Sequence, residues 1–306
     1  MSCPTPSCPT PTCPAPTCPT PICPKLTCPK QSIVNGNKDC LYDANGKSAI
    51  VTSSGRTVIA NCEDGWLVIA HRFNGKVAFH NRTLNEYKKG FDTSQGKYKK
   101  EFDTEGEYFI GFEAILTILK WRTYKMRFDL VGWNNSNAHP WVAKYSSFSM
   151  GEESDNFKLT LRGFNSTGSS TIKDSITKIS NPKLNKGTPG PLLFREMTYY
   201  VRYKYKGKSD DRRYKYKGKR SILYGVSECS DMQRSSWWYS YYIRTANRPE
   251  LCGDANLFSS YPVDGKCDKE RACMFWSKHK HEWMTSLWGW EINYLKEMKM
   301  KIKPST

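Results

Sequence analysis

Short alternating runs of apolar and polar residues predict strands across most of the chain. These runs are TVIAN at 57–61, WLVIAH at 66–71, KMRFDLVGW at 125–133 and FKLTLRGF at 157–164. Gly, Asn and Ser separate them, which is typical of strands joined by turns. Two segments, NRTLNEYKKGF at 81–91 and FEAILTILK at 112–120, have helical patterns instead. The pattern predicts an α+β body over residues 32–306, with mostly antiparallel strands and short helices.

Residues 1–31 follow a different pattern, the pentapeptide CPxPx. Proline at this density excludes helix and sheet and predicts an extended polyproline II tail, with a rise of about 3.1 Å per residue. Successive cysteines are then about 15 Å apart, whereas a disulfide needs Cα atoms within about 7 Å. We therefore predict that the tail cysteines pair between chains and serve assembly or crosslinking. They are Cys3, Cys8, Cys13, Cys18, Cys23 and Cys28.

The remaining six of the 12 cysteines lie in the body. They are Cys40, Cys62, Cys229, Cys252, Cys267 and Cys273. The sequence contains no C-x-x-C pair, which argues against a zinc knuckle or a thioredoxin-type site. An even count predicts disulfides and a secreted, extracellular protein. Sequons at Asn81, Asn134 and Asn165 agree with this and predict N-glycosylation.

Two further sequence features bear on localisation. No apolar run reaches the roughly 20 residues that cross a bilayer, so we expect no membrane span. At the N-terminus, Met1 and Ser2 lead directly into the tail, and no signal-peptide pattern is visible in this numbering.

The formal net charge is +18, and one basic segment has the highest density of positive charge. Between Tyr200 and Arg220 the chain has ten Lys or Arg and two Asp, and RYKYKGK occurs at both 202–208 and 213–219. We interpret residues 196–228, approximately, as a basic Tyr/Lys insertion. Such charge density attracts polyanions such as sulfated glycans. The predicted binding residues are Lys204, Lys206, Lys208, Lys215, Lys217 and Lys219.

Several segments, taken in order, carry a family resemblance. They include NCEDGWLVIAHRFNGKVAF at 61–79, GEYFIGFEAI at 106–115, YKMRFDLVGW at 124–133, SSWWY at 235–239 and CGDANL at 252–257. From about Asp39 to Pro304 the chain resembles the fibrinogen C-terminal domain of fibrinogen, ficolins, tachylectins, angiopoietins and tenascins. The resemblance implies a globular domain with a central sheet, and a family that is not enzymatic. Since the sequence also has no nucleophile elbow, P-loop or dinucleotide fingerprint, we expect no enzyme.

The resemblance also implies disulfides and a ligand pocket. It pairs Cys40 with Cys62, and Cys229 with Cys252, and places the pocket of lectin-type members beside the second pair. Cys267 and Cys273 have no family counterpart, and we expect them to bridge each other. In the lectins the pocket holds an acetyl or similar small group. The candidate pocket residues here are Tyr239, Ala255, Asn256, Tyr261 and Trp276.

Two departures from the family pattern concern the pocket and a calcium site. Gly253 stands where the family commonly has a histidine, which removes a ring and a hydrogen-bonding group. The acidic loop that usually holds calcium is replaced by the basic insertion, whose cations oppose a divalent metal. We therefore predict no cofactor. Asp210 and Asp211 remain as weak candidates for a degenerate calcium site.

Three functions follow from these observations. The first is a secreted, lectin-type recognition protein that binds glycans or acetyl groups and is made multivalent by its tail. The second is a structural protein of an extracellular matrix or fibre, assembled through the tail. The third is a polyanion-binding protein that uses the basic insertion. The expected partners are other copies of the chain and glycans or other extracellular anionic polymers, with no specific nucleic acid.

Overall fold

The computed structural model describes most of the body and none of the tail. The described residues are 39–40, 45–94, 102, 104–133, 140–167, 172–177, 192–195, 229–230, 233–240, 252–268, 272–279 and 290–305. The predictions for the tail cysteines, Asn134, Asp210, Asp211 and the lysines between 204 and 219 concern residues outside these ranges.

Strands dominate the described ranges, and two short α-helices accompany them. The strands are β1 Gly46–Val51, β2 Thr57–Glu63, β3 Trp66–Arg72, β4 Phe91–Asp92, β5 Tyr108–Phe109, β6 Tyr124–Gly132, β7 Trp141–Met150, β8 Leu159–Thr167, β9 Leu192–Arg195, β10 Trp237–Ser240, β11 Ala255–Asn256, β12 Phe275–His279 and β13 Trp290–Pro304. The helices are α1 Leu84–Lys89 and α2 Phe112–Leu119. Neither helix of this part of the chain is long and apolar enough to cross a membrane.

One sheet organises the body. Its strand order is β1-β2-β3-β13-β6-β7-β8-β9-β10, and β12 pairs with the first half of β13 and with β11. The C-terminal strand β13 therefore lies in the centre, between β3 and β6. The ladders between the strands described here are all antiparallel. The prediction of an α+β body with mostly antiparallel pairing is confirmed.

Side chains alternate along β13 between the core and the opposite face of the sheet. Met298, Met300 and Ile302 are at most 1% exposed and belong to the apolar core. Lys299, Lys301 and Lys303 come between them and point to the other face, as the two-residue period of a strand requires. The inner face packs against an aromatic cluster, in which Phe112 and Phe194, for example, have ring centroids 4.7 Å apart.

Helix α1 is shorter than the pattern at 81–91 predicts, and its ends explain the difference. The Thr83 hydroxyl accepts a hydrogen bond from the Glu86 backbone, and the Glu86 carboxylate accepts one from the Thr83 backbone. This capping box fixes the first turn. The helix ends before Gly90, whose φ of 84° disfavours any residue with a side chain. A Cβ at Gly90 would also lie 2.5 Å from the Ile110 carbonyl oxygen.

The structure contains three disulfides within the described residues. They join Cys40 to Cys62, Cys229 to Cys252, and Cys267 to Cys273, with Cα separations of 5.6, 5.2 and 5.9 Å. These are the pairs given in the sequence analysis, two by the resemblance and one by proximity. The first pair joins the segment preceding β1 to β2, and the second closes a loop around β10.

Candidate functional site

The candidate site is built around the Cys229–Cys252 disulfide. Both cysteines are at most 3% exposed, and the turn after Cys229 is held by backbone hydrogen bonds. The Gln233 N–H donates to the Cys229 carbonyl at 2.9 Å, and the Ser235 N–H donates to the Ser230 carbonyl at 2.9 Å. These contacts fix Gln233 next to the disulfide.

Asn256 connects this turn to the segment after Cys252. Its side-chain oxygen accepts hydrogen bonds from the backbone of Phe258 at 3.1 Å and of Ser259 at 3.0 Å. Its Nδ2 donates to Gln233 Oε1 at 2.8 Å and to the Tyr239 hydroxyl at 3.1 Å. Asn256 is fully buried, so these bonds satisfy a group that would otherwise destabilise the fold. The arrangement holds Gln233, Tyr239 and the 256–259 turn as one unit.

Four of the five predicted pocket side chains are buried. Tyr239, Ala255, Asn256 and Trp276 are at most 2% exposed. Trp276 lies opposite Ala255 in the β11–β12 ladder and donates its indole N–H to the Lys173 carbonyl at 3.1 Å. Because these side chains face the interior, in this structure they form the framework behind a site, not its open surface.

Tyr261, the fifth residue, is half-buried and contacts a different part of the molecule. Its hydroxyl hydrogen is shared between the carbonyls of Phe73 at 2.9 Å and Lys296 at 2.8 Å. Burial raises the pKa of Tyr261 above its ordinary value, as does the nearby Glu107 carboxylate, so the hydroxyl stays protonated and can donate. Its ring also packs so closely on Gly75 that a Cβ there would lie 2.8 Å from it.

Two buried charged residues support these segments, and the sequence analysis did not identify them. Arg72 donates from Nη1 to the carbonyls of Leu257 and Ser259, both at 2.7 Å, and its guanidinium lies 4.4 Å from the Phe79 ring centroid. Burial lowers the pKa of Arg72 to about 10, against the opposing effect of Glu107. Arg72 lies on β3 at a position whose side chain faces the core, where a charged residue is rare.

Glu107 holds the loop between β3 and the 3₁₀ turn at Phe79–Asn81. Its Oε1 accepts from the backbone N–H groups of Phe73, Asn74 and Gly75 at 2.7 to 2.8 Å, and its Oε2 accepts from Val77 at 2.8 Å. The carboxylate is fully buried. One side chain therefore satisfies four backbone donors in the loop that carries the Tyr261 contacts.

Gln233 has unused hydrogen-bonding capacity, as does Arg72, whose Nε and Nη2 are also buried without a partner among the described residues. The Oε1 of Gln233 is occupied by Asn256, but its Nε2 is buried and has no partner among the described residues. Nearby, Gly253 has a φ of 123°, and a Cβ built there would meet nothing closer than the Ala255 carbonyl oxygen at 4.0 Å. The site thus combines a buried amide donor with space at the position where the family commonly has a histidine.

No metal site emerges from the described ranges. They contain no group of three or more His, Cys, Asp or Glu side chains that could hold a metal ion. Asp254, which follows Gly253, is buried and paired with Lys173 at 3.2 Å. Of the predicted glycosylation sites, Asn81 and Asn165 are both exposed.

The sequence is similar to proteins of known family. A sequence model described as fibrinogen beta and gamma chains, C-terminal globular domain, matches residues 57–305. The chain is 26% identical to angiopoietin-2 of Rattus norvegicus over 197 residues, which are 64% of this chain and 28% of that relative. It is 25% identical to the fibrinogen beta chain of Gallus gallus over 247 residues, 78% of this chain and 45% of that relative. It thus spans less than half the length of both relatives, which are secreted proteins.

The fold is also similar to a solved structure, the fibrinogen-like globe domain of human ANGPTL6. The TM-score is 0.56 at 21% sequence identity, and the match covers 89% of this chain and 96% of the other. At this identity the likeness concerns the fold, which agrees with the predicted fold class.

Proposed function

Because the chain belongs to the fibrinogen C-terminal domain family, we propose that it is a secreted recognition protein with a ligand site beside the Cys229–Cys252 disulfide. The three disulfides support an oxidising, extracellular setting. The ligand class that we propose is a glycan or another molecule with a small acyl group, such as an acetyl.

One observation carries this proposal, the unpaired amide nitrogen of Gln233. Leaving a buried donor unsatisfied costs about 1–3 kcal/mol, so a ligand that accepts a hydrogen bond from Gln233 would stabilise this position. An acyl carbonyl oxygen is an acceptor that would satisfy this donor. The Asn256 bond holds the amide in the orientation that leaves Nε2 available, and Gly253 leaves room for a small group.

The tail adds the second part of the proposal. Single small-molecule sites bind weakly, and several heads joined through the tail cysteines would bind a glycan surface much more tightly. Disulfides between tails would provide that joining, and electrophoresis without reductant tests it directly. Under the alternative function, a structural fibre protein, the chains would also be joined but no acyl ligand would bind.

Replacing Gln233 with glutamate tests the site. Gln233→Glu keeps an oxygen for Asn256 Nδ2 and removes the free N–H donor. Isothermal titration with N-acetylglucosamine should show binding to the unmodified chain and binding about 2–10-fold weaker to the variant, the value of one hydrogen bond. Asn85→Asp, the same chemical change at an exposed position of α1, serves as the control and should bind normally.

Thermal unfolding of both variants separates a lost contact from a damaged fold. If no N-acetylated sugar binds the unmodified chain, the proposed ligand class is wrong. If Gln233→Glu binds as tightly as the control, Gln233 belongs to the framework only.

A further inference from the structure

The face of the sheet opposite the core is strongly basic in its central strands. We call this surface the basic sheet face. Its cations are Lys125 and Arg127 on β6, Lys144 on β7, and Lys299, Lys301 and Lys303 on β13. Three carboxylates accompany them, Glu63, Asp129 and Glu297. Among the residues that the structure describes, six cations against three carboxylates leave an excess of three positive charges on this face.

The strand register places like charges directly opposite each other three times. Lys303 pairs with Lys125, and Lys301 pairs with Arg127. Arg127 in turn pairs with Lys144 on its other side. Like charges in such directly opposed positions destabilise a sheet. Asp129 binds both Lys301 and Arg127, so the repulsion that remains is between Arg127 and Lys144 and between Lys303 and Lys125.

The carboxylates of this face neutralise the cations at its centre, Lys299, Lys301 and Arg127. Glu63 binds Lys299 at 2.8 Å and Lys301 at 2.5 Å, and Asp129 binds Lys301 at 2.6 Å and Arg127 at 2.5 Å.

The outer cations Lys125 and Lys144 form no ion pair with any described carboxylate, although both are partly exposed. Lys125 and Arg127 lie over the Trp66 ring, 5.9 and 5.8 Å from its centroid. Aromatic contacts of this kind hold a cation in place without cancelling its charge.

We propose that the basic sheet face binds a linear sulfated polysaccharide. Lys303 on β13, Lys125 on β6 and Lys144 on β7 lie on successive strands about 4.8 Å apart, beside the ion-paired Lys299 and Lys301. The result is an extended strip of positive charge, which suits a chain with regularly spaced sulfates and carboxylates. The disulfides indicate an oxidising compartment, where sulfated polysaccharides are the abundant polyanions and nucleic acids are not. Binding then releases counterions and relieves the repulsion between the opposed cations.

This surface is separate from the ligand site proposed above and from the basic insertion. It shares no residue with the Gln233 site, and the lysines between 204 and 219 lie outside the described residues. The test must nevertheless remove the contribution of the insertion. We therefore place every variant in a full chain in which the six lysines from Lys204 to Lys219 are replaced by serine, called the insertion-neutral chain.

Heparin chromatography of two charge-matched double variants tests the proposal. Lys125→Ser/Lys144→Ser removes the two uncompensated cations, and Lys76→Ser/Lys266→Ser removes two exposed lysines elsewhere. The first pair should lower the salt concentration of elution clearly more than the second, with about tenfold weaker heparin binding at physiological salt. If both double variants lowered the salt concentration of elution equally, heparin binding would depend only on net charge, and the proposal would be overturned.

A single charge reversal gives a second, independent readout. Lys144→Glu places a carboxylate opposite Arg127, which converts a repulsive pair into an attractive one. We expect the variant to unfold at a higher temperature than its parent and yet to elute from heparin at lower salt. If the unfolding temperature and the heparin affinity both fall, the loss of binding reflects damage to the fold and the proposal fails.

Other polyanions define the remaining outcome. Binding of single-stranded DNA and of phosphatidylserine vesicles is measured for the insertion-neutral chain and for Lys125→Ser/Lys144→Ser at the same salt concentration. Replacing these two lysines should weaken heparin binding more than it weakens binding of DNA or of vesicles. A larger dependence for DNA or for vesicles would overturn the assignment to a sulfated polysaccharide.

Discussion

Replacing Glu107 with glutamine should destabilise the domain more than any other single change of one carboxylate to an amide among the described residues. The Glu107 carboxylate accepts four backbone hydrogen bonds and is fully buried. Glutamine can present its oxygen to the N–H groups of Phe73, Asn74 and Gly75. Its NH₂ group then faces the N–H of Val77, so one bond becomes a contact between two donors.

The magnitude follows from the geometry. Hydrogen bonds to a charged acceptor contribute about 1.5–3 kcal/mol, and those to a neutral acceptor contribute about 1 kcal/mol. Three bonds would each weaken by about 1 kcal/mol, and the orphaned Val77 N–H adds about 1–3 kcal/mol. The variant should therefore lose about 4–6 kcal/mol. In a domain of this size that corresponds to a decrease of roughly 10–20 °C in unfolding temperature. Loss of the carboxylate also removes the charge that favours the buried Arg72 cation.

Differential scanning calorimetry of Glu107→Gln and Glu105→Gln would measure the effect. Glu105 is two residues away, 78% exposed, and paired with Lys47 at 2.7 Å. Its change should cost less than about 1 kcal/mol, as exposed ion pairs do. If both variants unfold within 2–3 °C of each other, or about 1 kcal/mol, the carboxylate does not hold the loop and the reasoning is wrong.

Two further predictions concern pH and assembly. The hydrogen bond from His71 lowers the pKa of Glu297, against the opposing effect of burial. The Glu297 carboxylate therefore stabilises the fold fully above its unfolded pKa of about 4.3. This stabilisation is lost as the pH falls through the lower pKa of the folded state. Glu297→Gln should therefore flatten the fall in unfolding temperature between pH 6 and pH 3, and parallel curves for variant and parent would contradict this. For the tail, electrophoresis without reductant should show covalent multimers that collapse on reduction, and a monomer with free tail thiols would refute assembly through the tail.

Much of the sheet could be predicted because its alternation is regular. The series EMKMKIKP at 297–304 alternates apolar and charged residues, and the structure places the apolar set in the core. The sequence therefore indicates that β13 has a basic face. The sequence does not indicate that Lys125 on β6 and Lys144 on β7 lie on the same face of the sheet as these lysines, because cross-strand register depends on pairing between distant segments.

The candidate site was predicted less well, for a related reason. The resemblance led to Asn256 and Tyr239, which hydrogen-bond each other in the candidate site, but residue type could not indicate that both are buried. Gln233 gave no signal in the sequence, since a glutamine is informative only when its amide is seen to be unpaired. Arg72 and Glu107 were missed because buried charges break the pattern of apolar positions on which the strand predictions depend.

The basic sheet face shows how stability and binding compete in one surface. Its carboxylates are concentrated on Lys299 and Lys301, the central cations, where burial makes an unpaired charge most costly. Lys125 and Lys144 stand at the margin, where one acidic neighbour would suffice to remove the repulsion. A search for stabilising substitutions would therefore change these two lysines first. The same substitutions would remove the charges that a sulfated chain needs, so under the proposal above the domain keeps a less stable sheet in exchange for an anion-binding surface.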